Sequence, residues 1–151
     1  MGNVLLDTNV VLRLSQVDSD LETLADIALK ELARKGDTLH LTPQVMCEYW
    51  CSVTRPTDVN GFGWDPSVAY DSVTKWISLF TLLPEVPSVF GHWLELVHKY
   101  EVKGKRTHDA RLVAVMLENG VDTLLTFNTG DFEAFTEIKV IHPADVVANA
   151  T

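Results

Sequence analysis

Val4-Leu5-Leu6-Asp7-Thr8-Asn9, continued by Val10, Val11, Leu12 and Leu14, is the stretch from which the fold is read. A short apolar run of this kind reads as a buried strand. It stops at a carboxylate, and Thr8 and Asn9 are residues that start helices. In a parallel sheet, ligands bind beyond the carboxyl ends of the strands. Asp7 is therefore expected at the bottom of such a crevice. Asp is also among the best helix N-caps, and the stretch alone does not separate the two roles. Three later acids, Glu48, Asp109 and Asp131, also sit at element starts or ends.

Working outward, the chain alternates strand and helix signals. Thr8 to about Gln16 reads as a short helix. Asp18, Ser19 and Asp20 open a second, with Leu21, Leu24, Ala25, Ala28, Leu29 and Leu32 at helical spacing and Gly36 closing it. Leu39 and Leu41 suit a second strand. Thr42 caps a helix whose first turn holds Pro43, and which carries Val45, Met46, Glu48, Tyr49, Trp50 and Val53. A carboxylate among such neighbours needs a partner or a metal. Arg55-Pro56 ends that helix, and Pro66 starts the next, which runs to about Phe80.

Leu82-Leu83-Pro84 reads as either a short strand or a loop. The following helix, about Ser88 to Tyr100, is expected to turn Phe90, Trp93, Leu94 and Val97 inward. Thr107 or His108 is expected to cap a helix with Ala110, Val113, Ala114 and Leu117 on its apolar side, ended by Gly120. Val121 to Phe127 and Ile138 to Ile141 read as the last strands, with Asn128-Thr129-Gly130-Asp131 as the turn between. A short helix follows Pro143. The alternation predicts an α/β fold with a mostly parallel central sheet flanked by helices, as one domain over 1–151.

Bulk properties narrow the function. The 151 residues are 46% hydrophobic, which excludes a disordered chain. No run approaches a membrane span, and the start of the chain has no basic or signal-like segment, so a cytoplasmic protein is expected. Cys47 and Cys51 are too few for a disulfide scaffold or a zinc site and read as small core residues. A net charge of -9 argues against a protein that coats nucleic-acid phosphates. It does not argue against an enzyme that grips a few nucleotides.

Asp7 and Asp131 both belong at the carboxyl edge of the sheet; Asp109 and Glu48 are placed less firmly, on helices. Clustered carboxylates repel one another, and a hard divalent cation resolves the repulsion. Magnesium favours oxygen ligands, polarises a phosphoryl oxygen and lowers the pKa of bound water. Asn9 and Thr126 either bond those carboxylates or satisfy strand-end backbone, and Asn128 fits a turn as readily as a site. His108 is either a general base or a capping or surface residue. Lys99, Lys103, Lys105, Arg106 and Arg111 form a solvated cationic face or a phosphate contact. Trp50, Trp76 and Trp93 read as core or partner surface.

The segments LLDTNVVLRL, EYWCSVTRP, THDARLVAVML and LLTFNTGDFEAF, in that order, resemble the PIN-domain ribonucleases, and most of all the VapC-type toxins of toxin–antitoxin pairs. The likeness runs nearly end to end. It implies a parallel sheet between helices and RNA cleavage dependent on Mg2+ or Mn2+. It also implies Asp7, Glu48, Asp109 and Asp131 as metal-binding acids, with Asn9, Thr126 and Asn128 in supporting positions. Relatives often form homodimers and are silenced by a VapB-type antitoxin. The expected activity is a metal-dependent endoribonuclease with Lys103, Lys105 and Arg106 on the RNA; the alternative is a PIN-like RNA- or protein-binding module that no longer cuts. A haloacid-dehalogenase-type phosphatase would need a second aspartate where Asn9 stands, and neither a P-loop nor a G-x-G-x-x-G follows the first strand.

Overall fold

β1 (Asn3–Leu6) forms because Val4, Leu5 and Leu6 are apolar on both faces, as the centre of a parallel sheet requires. The computed structural model describes residues 2–150. Its sheet has five strands, all parallel, in the order β3-β2-β1-β4-β5. These are β1, β2 (Thr38–Leu41), β3 (Thr81–Leu82), β4 (Thr123–Leu125) and β5 (Lys139–Ile141). Leu5 lies between His40 of β2 and Leu124 of β4. The chain steps outward from β1 to β3 and then returns to lay β4 on the other side of β1. The β1/β4 boundary is thus the point where strand order reverses, and a crevice opens there beyond the strand ends.

Among the described residues, seven α-helices accompany the sheet: α1 (Thr8–Leu14), α2 (Asp20–Arg34), α3 (Pro43–Thr54), α4 (Pro66–Leu79), α5 (Val89–Lys99), α6 (Arg106–Glu118) and α7 (Pro143–Ala148). The expected start signals operate. Ser19 Oγ accepts from Glu22 N–H at 3.0 Å, and Thr42 Oγ1 accepts from Val45 N–H at 3.1 Å with Pro43 in the first turn. α2 packs against α1 and α7, α3 against α1 and α4, and α5 against α6.

Several expectations are corrected. Cys47 and Cys51 are exposed, because α3 buries the stripe Val45, Met46, Tyr49 and Val53 and leaves the cysteines on its outer side. Phe90 and Leu94 also face outward; α5 packs through Val89 and Leu96, with Trp93 and Val97 half-buried. Neither Thr107 nor His108 caps α6. The residue before the helix is Lys105 in a helical conformation, and Thr107 Oγ1 donates back to Gly104 O at 2.8 Å. β4 is shorter than expected because Thr126, Phe127 and Asn128 turn aside toward the site. Leu82-Leu83-Pro84 resolves into the end of a two-residue edge strand, after which Pro84, lacking an N–H, cannot extend the ladder.

Tyr49 illustrates how the α1–α3–α4 layer is held. It is fully buried, and its hydroxyl lies 2.7 Å from both Ser15 Oγ and Ser72 Oγ. Removing that hydroxyl leaves two serines short of a partner, a loss of about 1 kcal/mol. Tyr49→Phe should therefore lower the urea midpoint modestly at an unchanged m-value; an unaltered midpoint would show the hydroxyl to be dispensable.

Candidate functional site

Asp7 sits at the β1/β4 boundary, 8% exposed. It is the N-cap residue of α1 and the centre of a polar network at once. Oδ1 accepts from Thr8 N–H at 2.8 Å; Oδ2 accepts from Thr126 Oγ1 at 2.8 Å and from Asn9 Nδ2 at 3.1 Å. Asn9 Oδ1 in turn accepts from Phe127 N–H, and Thr126 Oγ1 from Asn128 N–H, both at 3.0 Å. These bonds staple the start of α1 to the turn after β4. Burial pushes the Asp7 carboxyl above its ordinary pKa; the bonds from Thr126 and Thr8 pull it back, and the charges of Glu48 and Asp131 push it up again.

Glu48 lies in α3, and both its oxygens have donors. Thr8 Oγ1 donates to Oε2 at 2.7 Å, and Gln44 Nε2 to Oε1 at 3.0 Å. Gln44 stands one turn before Glu48, the spacing at which helix side chains meet. Its amide also donates to His108 O at 2.9 Å and accepts from Arg111 Nη1 at 2.9 Å. Arg111 completes the chain with an ion pair to Glu85 at 2.7 Å. α3 and the start of α6 are thereby joined beside the sheet's carboxyl edge.

Asp109 is half-buried in the first turn of α6. Its carboxyl is pushed up to about 6, first by burial and then by the charges of Asp131 and Asp7, with Arg106 opposing and Glu48 adding. All four acids therefore act on one electrostatic neighbourhood. Asp131 is exposed on the 3-10 turn Thr129–Asp131, and its carbonyl accepts from Arg106 Nη2 at 2.8 Å. Among the described residues, no group of three His, Cys, Asp or Glu side chains is placed so that it could hold a metal ion between them.

Residues 4–138 match the PIN domain. The chain belongs to the PIN-domain family. PIN domains are typically nucleases and generally use divalent metals. No curated protein matches the sequence. Similar solved structures include VapBC2 from Rickettsia felis bound to a DNA fragment from its promoter (TM-score 0.72, 16% identity, 93% of this chain and 98% of that one). DNA-bound VapBC from Salmonella typhimurium is also similar (TM-score 0.66, 16% identity, 95% and 99%). A third is the Mycobacterium tuberculosis sarcin-ricin loop cleaving toxin VapC20 (TM-score 0.57, 17% identity, 87% and 95%). At these identities the likeness is one of fold.

The other sequence-predicted residues of this PIN domain fall at graded distances from the network. Asn9 and Thr126 are inside it. Asn128 contributes its backbone N–H, while its side chain is exposed. Arg106 touches the Asp131 turn; Lys103 and Lys105 are exposed on the segment before it. Lys99 is engaged by Glu137 at 2.9 Å. His108 has an exposed side chain, and its carbonyl, not its imidazole, enters the network. Trp76 is core, and Trp50 and Trp93 are half-buried. No helix is long and apolar enough to cross a membrane among the described residues. Sequence reasoning missed the bridging roles of Thr8, Gln44 and Arg111. The Gln44/Glu48 spacing was the one signal available for them.

The raised Asp109 carboxyl fixes a pH dependence. It ordinarily ionises near 3.8 and here near 6, so between those values the folded chain holds more protons than the unfolded one. Its contribution to stability therefore falls as pH rises through that window. In chelator, Asp109→Asn should be the more stable protein above about pH 6, with the advantage fading toward about pH 4. Urea midpoints across that range decide it; a constant offset would assign the gain to something other than this ionisation.

Proposed function

We propose that this PIN domain is an endoribonuclease that hydrolyses RNA phosphodiesters with Mg2+ or Mn2+, and that it is the toxin of a VapBC-type pair. The observation that carries the reading is the placement of Asp7 and Glu48, linked through Thr8, with Asp109 in the first turn of α6 and Asp131 on the turn after β4. The donor set is carboxylate oxygen alone, which suits a hard cation. Asp7, Glu48, Asp109 and Asp131 would hold it. Magnesium keeps several waters and needs only one or two carboxylates, which Asp7 and Glu48, linked through Thr8, would supply. Such an ion polarises a phosphoryl oxygen and lowers the pKa of water.

The chain's own part is orientation. Thr126, Asn9 and the Thr8 amide hold Asp7; Thr8 and Gln44 hold the two oxygens of Glu48. Arg106, Lys103 and Lys105 supply positive charge beside the acids, where a phosphate backbone would lie. The toxin role and a VapB-type antitoxin are supported by likeness to VapBC structures and to a sarcin-ricin loop cleaving VapC; a homodimer and a cytoplasmic setting belong to the same proposal.

Two measurements test the reading. Magnesium should raise the melting temperature of the wild type by mass action and support cleavage of a mixed RNA pool. Both effects should largely vanish in Asp7→Asn. RNA binding without cleavage in any divalent metal would leave a binding module instead. Separately, replacing Lys103 and Lys105 by Ala should weaken RNA binding and flatten its log–log salt slope by about 1.4, the loss of two single-strand phosphate contacts, with turnover at saturating RNA little changed. Turnover that collapses while binding holds would give one lysine a catalytic role.

A further inference from the structure

Beside the acids lies an apolar cleft of about 380 Å³ whose lining includes Val86, Pro87, Phe90, Trp93 and the ion pair of Arg111 with Glu85 at 2.7 Å. Phe90 is 64% exposed, and its ring centroid stands 5.7 Å from that of Trp93. Trp93 Nε1 donates to Thr107 O at 2.8 Å, which pins this ring to the first turn of α6, the turn that carries Asp109. Arg111 lines the same cleft and reaches Glu48 through Gln44 alone. Those two hydrogen bonds, 2.9 and 3.0 Å, together with the span of one amide, put the Arg111 guanidinium within about 8 Å of the Glu48 carboxylate.

An aromatic shelf with a guanidinium at its side suits an unpaired base, which stacks on aromatic faces and on Arg planes. The charge balance points the same way. A chain of net charge -9 with four acids at its site gains little from coating phosphates. Stacking holds a base without needing positive charge. Resting on the nuclease reading above, we propose that this cleft seats one unpaired base of the RNA strand being cut, stacked on Phe90 beside Trp93, and so fixes which nucleotide lies near the scissile phosphate.

The test uses the full chain in the Asp109→Asn background, in chelator. Its probes are a labelled single-stranded adenosine octamer and an abasic ribose-phosphate octamer of equal length. The octamer with bases should bind more tightly. Phe90→Ala should reduce that advantage by roughly five- to hundred-fold, the range of one lost stacked base, while abasic binding stays level. Phe90→Tyr should retain it. Phe90 is exposed, so its removal leaves the core intact. The octamer should also quench tryptophan emission, and Trp93→Phe should abolish most of that quenching. An unchanged advantage in Phe90→Ala would overturn the base seat and leave the nuclease reading standing. So would a Phe90→Ala effect confined to self-association, which would make the cleft a protein contact. A parent protein that binds neither octamer, with a wild type that cuts no RNA, would overturn both readings.

Discussion

Everything about the site depends on keeping one carboxylate, Asp7, almost out of water at the end of the central strand. Burial alone would drive such a group toward its neutral form. Three donors oppose that, namely the first amide of α1, the amide of Asn9 and the hydroxyl of Thr126. Each belongs to a residue that also serves another part of the fold. Asn9 and Thr126 fix the backbone of 127 and 128. The strand end, the start of α1 and the turn after β4 therefore form one unit, and none of the three can shift without unpairing a buried polar atom.

The remaining acids are added to this unit by progressively weaker ties. Thr8 is the direct link to Glu48, since its amide serves Asp7 and its hydroxyl serves Glu48. Asp109 is linked through the Gln44–His108 carbonyl bond, which sets α6 against α3. Asp131 is linked through Arg106 to its backbone. Like charges thus approach one another on linked supports, since Gln44 serves both Glu48 and the start of α6, and Arg106 of that same helix holds the Asp131 turn.

Much of the fold and of the candidate site's placement was legible in the sequence, for identifiable reasons. The run Val4–Leu6 ending in Asp7 encodes a buried strand and the carboxylate at its end together. Ser19, Thr42 and Pro43 mark helix starts by local chemistry that tertiary context does not override. Helix faces were harder to read. Phe90 and Leu94 are as apolar as the residues that α5 buries, so periodicity could not choose between faces, and packing on α6 chose the other one. Cys47 and Cys51 misled in the same way. Gln44 was signalled only by its one-turn spacing from Glu48; Thr8 and Arg111 were out of reach because their partners lie 40 and 67 residues away in sequence. The same holds for the start of α6, where Gly104 and Thr107 form a turn that no side-chain cap announces.

The contrast between Asp7 and Asp131 has a dynamic consequence. The Asp7 amide is bonded to Leu125 O and the Thr126 amide to Ile141 O, one residue past the ends of β1 and β4. Such amides exchange with solvent only through openings that approach global unfolding. Asp131 instead rides on one exposed turn of 3-10 helix, whose amide bonds span only three residues. That turn has few such ties beyond the Arg106 bond to Asp131 O. The cluster thus joins a wall fixed at the strand ends to one carried on a short exposed turn.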